Sequence, residues 1–318
     1  MSHSWSILKV NSHTLSMYLS FKYERPKERV LYQIMISLIS CLLLGFSLVG
    51  YCQVGEGQKS GVPVKLGVSP WSNPQLLYAW IEPMRAELES QTGYAFSVSS
   101  AANHEQYLIA NIEDKFNVAQ VPMHMSLYLI RYHQFIPVLF ARAELRTYIL
   151  TAADSGINTL SELNEYEYLL PDPLAVVSFM TKEALPNKPL NTFNHSRNHW
   201  SVLNALLDGE YKAGSVLSPM YDGLSPAMKN KFKVLYRSAY NFDGVYLMSP
   251  RSTVESRENV FKILNGFEPQ TKSIIKKLEP VTEKEMQYWF ATMGHYADMI
   301  HQHFESNQSL NRVPDSNQ

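Results

Sequence analysis

The chain has almost no cysteine. Its two, Cys41 and Cys52, both fall within or beside one apolar run near the N-terminus, so a chain cut after Cys52 forms no disulfide and offers no thiolate to a metal. Catalytic signatures are absent as well: there is no Gly-x-Ser-x-Gly, no His-Glu-x-x-His, no glycine-rich phosphate cradle and no Cys-His nucleophile pair. The expectation is a protein that is not an enzyme, with no catalytic residue, no metal and no cofactor. Excess charge is lacking too. A net charge of −1 over 318 residues gives no global attraction to nucleic acid or to an anionic membrane. What is present is core-forming material: 45% hydrophobic and 12% aromatic residues exclude a disordered or fibrous chain, and the length suits two ordinary domains or one large one.

The charge that exists is unevenly placed. Residues 1–52 carry Lys9, Lys22, Arg25, Lys27 and Arg29 against Glu24 and Glu28. Directly after this basic cluster, Val30 to Tyr51 is an uncharged apolar run, and the two together read as the n-region and h-region of an export signal. Three fates fit it. A cut after Cys52 puts Gly50 and Cys52 at the small-residue positions; Leu38-Ile39-Ser40-Cys41 resembles a lipoprotein signal; and a run of this length also suffices to span a bilayer as an uncleaved anchor. A core helix is a poorer reading, given the basic flank and the terminal position. The initiator is Met1 or Met17. The protein is therefore expected in the periplasm or associated with the envelope.

Beyond the leader, residues 53–63 read as a linker and then strands alternate with helices. Val64 to Ser69 is a strand. Asn73 caps a helix with Pro74 at its first position, apolar residues at Leu77, Trp80, Ile81, Met84 and Leu88, and a stop at Gly93. Ala95 to Ser99 predicts a strand, Tyr107 to Ile112 a helix, and Asn117 to Val121 a strand; this βαβ rhythm implies a largely parallel sheet. Pro137 to Ala141 and Arg146 to Ala152 are strand-like, and Ala153-Asp154-Ser155-Gly156 reads as a crossing between lobes. A capping box at Thr159-Leu160-Ser161-Glu162 opens a helix. Tyr168 to Leu170, a helix from about Leu174, a helix from His199 to Leu207 and the strand Ala213 to Leu217 form a second series. Val245 to Met248 is a returning strand, Val254 to Leu264 and Thr271 to Leu278 are helices, and residues 306–318 are a polar tail. The fold class is α/β with two lobes: 64–150 and 241–305 form the first, 151–240 the second. A ligand cleft between them lies at the carboxyl ends of the strands.

Several ordered segments carry a resemblance. Val68-Ser69-Pro70-Trp71-Ser72-Asn73-Pro74-Gln75 is followed by Trp80, Pro83, Leu88 and Thr92-Gly93-Tyr94. Then come His104-Glu105-Gln106-Tyr107, Asn117-Val118-Ala119, Asp154-Ser155-Gly156-Ile157, Leu160-Ser161-Glu162-Leu163, Asp172-Pro173, His199 and Leu207-Asp208-Gly209-Glu210-Tyr211-Lys212-Ala213-Gly214. In order and spacing, over roughly residues 64 to 250, the chain resembles the phosphate/phosphite/phosphonate-binding family of periplasmic solute-binding proteins. The resemblance implies a type II periplasmic-binding-protein fold and delivery of a small oxyanion to the permease of an ABC transporter. It implies a small-molecule ligand, a permease as partner and a monomer. The chain departs from the family's usual Asp-Pro-x-Ser-Thr-Ser-Gly, having Asp172-Pro173-Leu174-Ala175-Val176-Val177-Ser178. It also has Gln120-Val121-Pro122-Met123-His124 where the family has an aromatic, a residue and Gly-Pro, and Arg197-Asn198 in place of Gly-Ser before the histidine.

Six residues are candidates for the ligand site. His199 matches the family's ligand-contacting histidine and stands at a helix start; otherwise it is a first-turn surface histidine. Trp71 walls the cleft or packs between lobes. Gln120 and His124 follow the third strand and replace the lost donors, or form a solvent-facing loop. Ser178 is the last hydroxyl of the 172–178 segment, with a structural role as the alternative. Tyr221 follows the strand Ala213 to Leu217. His295, His301 and His303 lack metal-ligand spacing and read as a solvated helix face. The functional alternative to a transport receptor is an envelope-anchored sensory or interaction protein whose cleft has degenerated.

Overall fold

Local signals start most of the elements. The computed structural model describes residues 63–239, 242–268 and 275–311, all within one compact unit of the chain; the leader lies outside them. Strand β1 (Val64–Val68) leads into helix α1 (Pro74–Thr92), where the Asn73 side chain accepts from Leu76 N–H and Gly93, at φ 72, closes the C-terminus. Then follow β2 (Phe96–Ser99), α2 (His104–Ile112), β3 (Val118–Pro122), α3 (Met123–His133), β4 (Ile136–Leu145) and β5 (Thr147–Ala152). A single 3₁₀ turn over Ser161–Glu165 precedes β6 (Tyr168–Leu170) and α4 (Val176–Ala184). Next are β7 (Phe193–His195), α5 (His199–Leu207), β8 (Ala213–Leu217) and the short helices α6 (Ser218–Asp222) and α7 (Pro226–Lys229). The chain continues through β9 (Phe232–Arg237), β10 (Phe242–Met248), α8 (Val254–Asn265), β11 (Ile275–Pro280) and α9 (Glu283–Asn311).

Two sheets result. The first has the order β11-β4-β10-β3-β1-β2, the second β7-β6-β8-β5-β9. Both are mixed, which corrects the expectation of a largely parallel sheet. β1 runs parallel to β2 and β3, but β10 is antiparallel to β3 and β4, and β11 to β4. In the second sheet β6 is parallel to β7 and β8, while β5 is antiparallel to β8 and β9. β5 and β10, the two strands entered from the other lobe without a crossover helix, run antiparallel to both of their neighbours.

Alternation along the strands buries both faces of the first sheet. Leu139, Ala141, Tyr246 and Met248 pack on one side with Leu77, Met84 and Leu88 of α1 and Leu264 of α8. Phe140, Val245 and Leu247 pack on the other with Leu127 of α3 and Met293, Tyr296 and Ile300 of α9. Each such fully buried side chain contributes about 1.5–3 kcal/mol relative to exposure.

The chain passes from the first sheet to the second at Arg146, between β4 and β5, and returns between β9 and β10. The expected crossing at Ala153–Gly156 is instead a turn at the far end of β5, so the lobe boundary falls near 146 rather than 150. At the two crossings the strands are clasped: Thr147 N–H donates to Ser238 Oγ at 3.1 Å, Ser238 N–H to Thr147 O at 3.0 Å, and Arg146 Nη1 to Ser238 O at 2.7 Å. The segment read as a helix over Thr271 to Leu278 is strand β11 where it is described, because pairing along β4 outweighs an apolar spacing that suits either state. Residues 306–311, read as tail, continue α9. That helix packs on α3 of the first lobe through Arg131–Asp298 and Tyr132–Asp298 contacts. It also reaches α4 of the second, where Tyr296 stacks on Phe179 at 5.2 Å and His295 lies 2.6 Å from Glu183. Among the described residues no helix is long and apolar enough to cross a membrane.

Candidate ligand-binding site

A cavity of about 110 Å³ lies between the two lobes, and both contribute to its wall. The first lobe supplies Ser69, Trp71, His104, Gln120, Pro122 and His124; the second supplies Ala175, Val176, Val177, His199 and Leu217. Four helices present their first residues here. His104 is the first residue of α2, Pro122 and His124 flank the start of α3, Ala175 to Val177 open α4, and His199 is the first residue of α5.

The sequence makes these starts unlike one another. α2 and α5 are capped by asparagine: Asn103 Oδ1 accepts from Gln106 N–H at 2.8 Å and Asn198 Oδ1 from Ser201 N–H at 3.1 Å. α3 begins after Pro122 and α4 after Ala175, and neither has a side-chain cap. First-turn N–H groups without a capping side chain are donors for an anion, and the helix dipole adds positive potential. One uncapped start thus faces the cavity from each lobe.

Three histidines converge on the wall from positions far apart in the chain. His124 Nε2 lies 2.9 Å from Leu174 O; since a carbonyl only accepts, Nε2 carries the proton and the neutral ring keeps a lone pair on Nδ1. That Nδ1 is buried without a partner. His199 Nδ1 accepts from Leu217 N–H at 3.3 Å, which puts that ring's proton on Nε2. Burial lowers both rings to about 3, because the charged form loses its hydration and little nearby replaces it. His104 donates its backbone N–H to Asp172 Oδ2 at 3.1 Å and sets its Nδ1 at 3.2 Å from the same oxygen, an ion-pair distance without hydrogen-bond alignment. Burial acts to raise the Asp172 carboxyl, but the His104 ring and N–H, with Leu174 N–H, outweigh it and hold the group at about 2.

The rest of the wall is apolar, with Ile81, Met84, Ala141, Ala143 and Leu145 besides the residues of α4. Among the described lining residues none is Lys or Arg. Asp243 lines the cavity, and both its oxygens are engaged: Oδ2 by Arg142 Nη1 at 2.8 Å and Oδ1 by Ala143 N–H at 2.9 Å. Arg142 in turn holds Glu279 at 2.6 Å and Glu285 at 2.5 Å, so its charge serves three carboxylates. Ser69 Oγ is buried without a partner. Gln120 reaches toward Gly244, where a Cβ would stand 2.4 Å from its Nε2.

Of the six candidates from sequence, Trp71, Gln120, His124 and His199 line this cavity. Ser178 and Tyr221 do not. Ser178 is fully buried and donates to Asp172 O at 2.8 Å, fixing the turn into α4. Tyr221 packs edge-on against Tyr148 at 5.8 Å and Phe232 at 6.4 Å. Sequence reasoning passed over His104, Ser69 and Asp243 as site residues. For His104 a signal existed: the Asn103 cap puts it at the head of α2, three residues before the helix start expected at Tyr107. Among the described residues no group of His, Cys, Asp and Glu has the arrangement to hold a metal ion.

A family model described as ABC transporter, phosphonate, periplasmic substrate-binding protein matches residues 66–286. No curated protein matches the chain. Among solved structures, it is similar to a binding protein component of an ABC phosphonate transporter from Pseudomonas aeruginosa, at 12% identity and TM-score 0.62, covering 80% of this chain and 100% of that one. PhnD1 from Prochlorococcus marinus in complex with methylphosphonate is similar at 11% identity and TM-score 0.59, over 73% of this chain and 98% of that one. XAC2383 from Xanthomonas citri bound to chloride ion is similar at 12% identity and TM-score 0.59, over 76% and 99%. At these identities the likeness is one of fold: two α/β lobes of the periplasmic-binding type.

Proposed function

The chain belongs to the family of periplasmic substrate-binding proteins of phosphonate ABC transporters, and from that membership we propose that it captures a small oxyanion bearing a carbon substituent and hands it to its permease. The family is a substrate-binding component of transport, not an enzyme. Membership implies a periplasmic location, a small-molecule ligand and a membrane permease as partner. The observation that carries the ligand class is the pair of uncapped helix starts, α3 and α4, that line the cavity from opposite lobes. They offer N–H donors to an anion without a fixed cationic side chain. Ala175, Val176 and Val177 carry no hydroxyl, so that part of the wall suits an apolar substituent better than a third or fourth oxygen. Two of the solved relatives are consistent with this: one is a component of a phosphonate transporter and one is in complex with methylphosphonate.

Within this reading Trp71, Gln120, His124 and His199 are the ligand-contacting residues, the protein acts as a monomer, and residues 1–52 are its export segment. Native mass spectrometry of the purified protein tests the ligand class. A co-purifying small acid with phosphorus or sulfur and a short carbon chain is expected; a bound neutral metabolite or a peptide contradicts it. N-terminal sequencing of envelope-fraction protein tests the export segment, with a start near Gln53 expected on cleavage and an intact apolar run in a cytosolic fraction contradicting export.

A further inference from the structure

Resting on the oxyanion reading, we propose that this site selects the singly protonated form of its ligand, a monoanion whose acidic O–H donates to His124 Nδ1. The geometry supplies three constraints. His124 is 1% exposed, its Nε2–H is committed to Leu174 O, and its Nδ1 is a buried acceptor with no partner. An acceptor at that place repels an unprotonated oxygen and attracts an O–H; leaving both unpaired in a buried site costs the full desolvation of the groups. The second constraint is charge. No Lys or Arg stands among the described lining residues, and the carboxylate of Asp243 does. A dianion would bury two charges against the neutral rings of His124 and His199 and helix starts, each start contributing only a partial positive charge.

The third constraint is that the groups around His124 do not themselves turn it into a donor. Facing it are Leu174 O from the second lobe, the Phe179 ring edge-on at 5.8 Å from α4, and the side chains of His104 on α2 and Asp172 before α4. Burial outweighs the attraction of Asp172 and keeps the ring neutral throughout the neutral pH range. The Nε2–H of His199 and the N–H groups at the starts of α3 and α4 supply donors for the unprotonated oxygens. The set is therefore several donors and one acceptor, matching a methyl-bearing tetrahedral acid that has lost one proton and kept one.

Calorimetry of the full chain with methylphosphonate and methanesulfonate separates the possibilities. Both carry a methyl group on a tetrahedral centre, but methanesulfonate is a monoanion without an O–H at every pH used. The expected result is that methylphosphonate affinity falls about tenfold per pH unit once its second proton is lost, between about pH 6 and 9. Methanesulfonate is expected to bind on the order of 10- to 100-fold more weakly at the low end of that range and with no such trend. His124→Phe removes the Nδ1 acceptor together with the N–H to Leu174 O, and is expected to bring the two affinities within a factor of about three. Equal affinities in the unaltered chain, or methylphosphonate binding that strengthens with pH, overturn the inference while leaving the oxyanion reading in place. The absence of binding by either probe at any pH overturns the oxyanion reading and the inference with it. The two-probe comparison on the unaltered chain decides the question even where the variant does not fold.

Discussion

His124 on α3 and Leu174 before α4 are joined by a 2.9 Å hydrogen bond that runs from one lobe to the other. The backbone N–H of His104 on Asp172 Oδ2, at 3.1 Å, makes a second such link. His104 and His124 both line the cavity, so the lobes meet around the place where a ligand is held. The titration of His124 therefore bears on the stability of the protein.

Burial holds His124 and His199 at about 3, whereas an unfolded chain protonates histidine near about 6.5. Between those values the unfolded state binds more protons, and stability falls as pH drops, by on the order of 1 kcal/mol per pH unit for each ring. Asp172, held at about 2, acts lower: its contribution is present above an unfolded value of about 4 and is lost as pH falls toward 2. Urea unfolding over a pH series is expected to show the loss beginning near about pH 6. Replacing both rings by phenylalanine reduces the slope; an unchanged slope contradicts the buried-neutral assignment.

Rotation between the lobes is expected at the two crossings, at Arg146 and at Ser238 after β9. Small-angle scattering is expected to show a more compact particle with saturating ligand than without. Ser238→Ala removes the hydroxyl that accepts from Thr147 N–H; leaving that buried N–H unpaired costs about 1–3 kcal/mol, to be read as a lower unfolding midpoint. No compaction by a tightly bound ligand contradicts the clamp.

How much of this was readable from sequence depends on how local each cause is. Asn73, Pro74 and Gly93 bound α1 by side-chain chemistry within a few residues, and the expected limits match. The crossing at Arg146 has no such mark: it is one residue between two strands, while Gly156, with φ 79, made a turn look like a linker. β11 carries the same apolar spacing as a helix would, and its pairing with β4 is a tertiary fact. His104, His124 and His199 lie 20 and 75 residues apart along the chain and share a wall because four helices begin there. Ser178 reads from sequence as either a remaining ligand hydroxyl or a structural one, and its Oγ donates to Asp172 O in the turn before α4, an acceptor that the folded turn supplies.

Two glycines make opposite predictions. A Cβ at Gly214 would stand 2.5 Å from Val202 Cγ1 and 2.9 Å from Leu169 O; backbone in a paired strand yields little, so Gly214→Ala is expected to destabilise by about 1–3 kcal/mol. At Gly244 the nearest obstacle is the amide end of Gln120 at 2.4 Å, which moves, while the backbone Val121 O stands farther off at 3.1 Å. Gly244→Ala is expected to change ligand affinity more than the unfolding midpoint, since Gln120 is part of the cavity wall. Thermal unfolding and calorimetry on the two variants check the contrast.

The hydroxyl-free start of α4 predicts weak binding of phosphate and phosphite. A hydrogen bond to a charged group contributes about 1.5–3 kcal/mol, so installing two through Ala175→Ser with Val176→Thr is expected to tighten phosphate or phosphite by on the order of 100-fold or more. Submicromolar binding of either anion by the unaltered chain contradicts this reading of the 172–178 segment.

The central claim is that the cavity between the lobes holds a small alkylated oxyanion. Calorimetric titration with methylphosphonate, on the unaltered chain and on Ala143→Phe, tests it most directly. Ala143 lines the cavity from β4 and takes no part in the hydrogen bonds of His124 and His104, so a phenyl ring there occupies the ligand's volume and removes none of the contacts between lobes. The account predicts saturable one-to-one binding that Ala143→Phe abolishes while the chain remains folded. Binding of undiminished affinity in the blocked variant contradicts it.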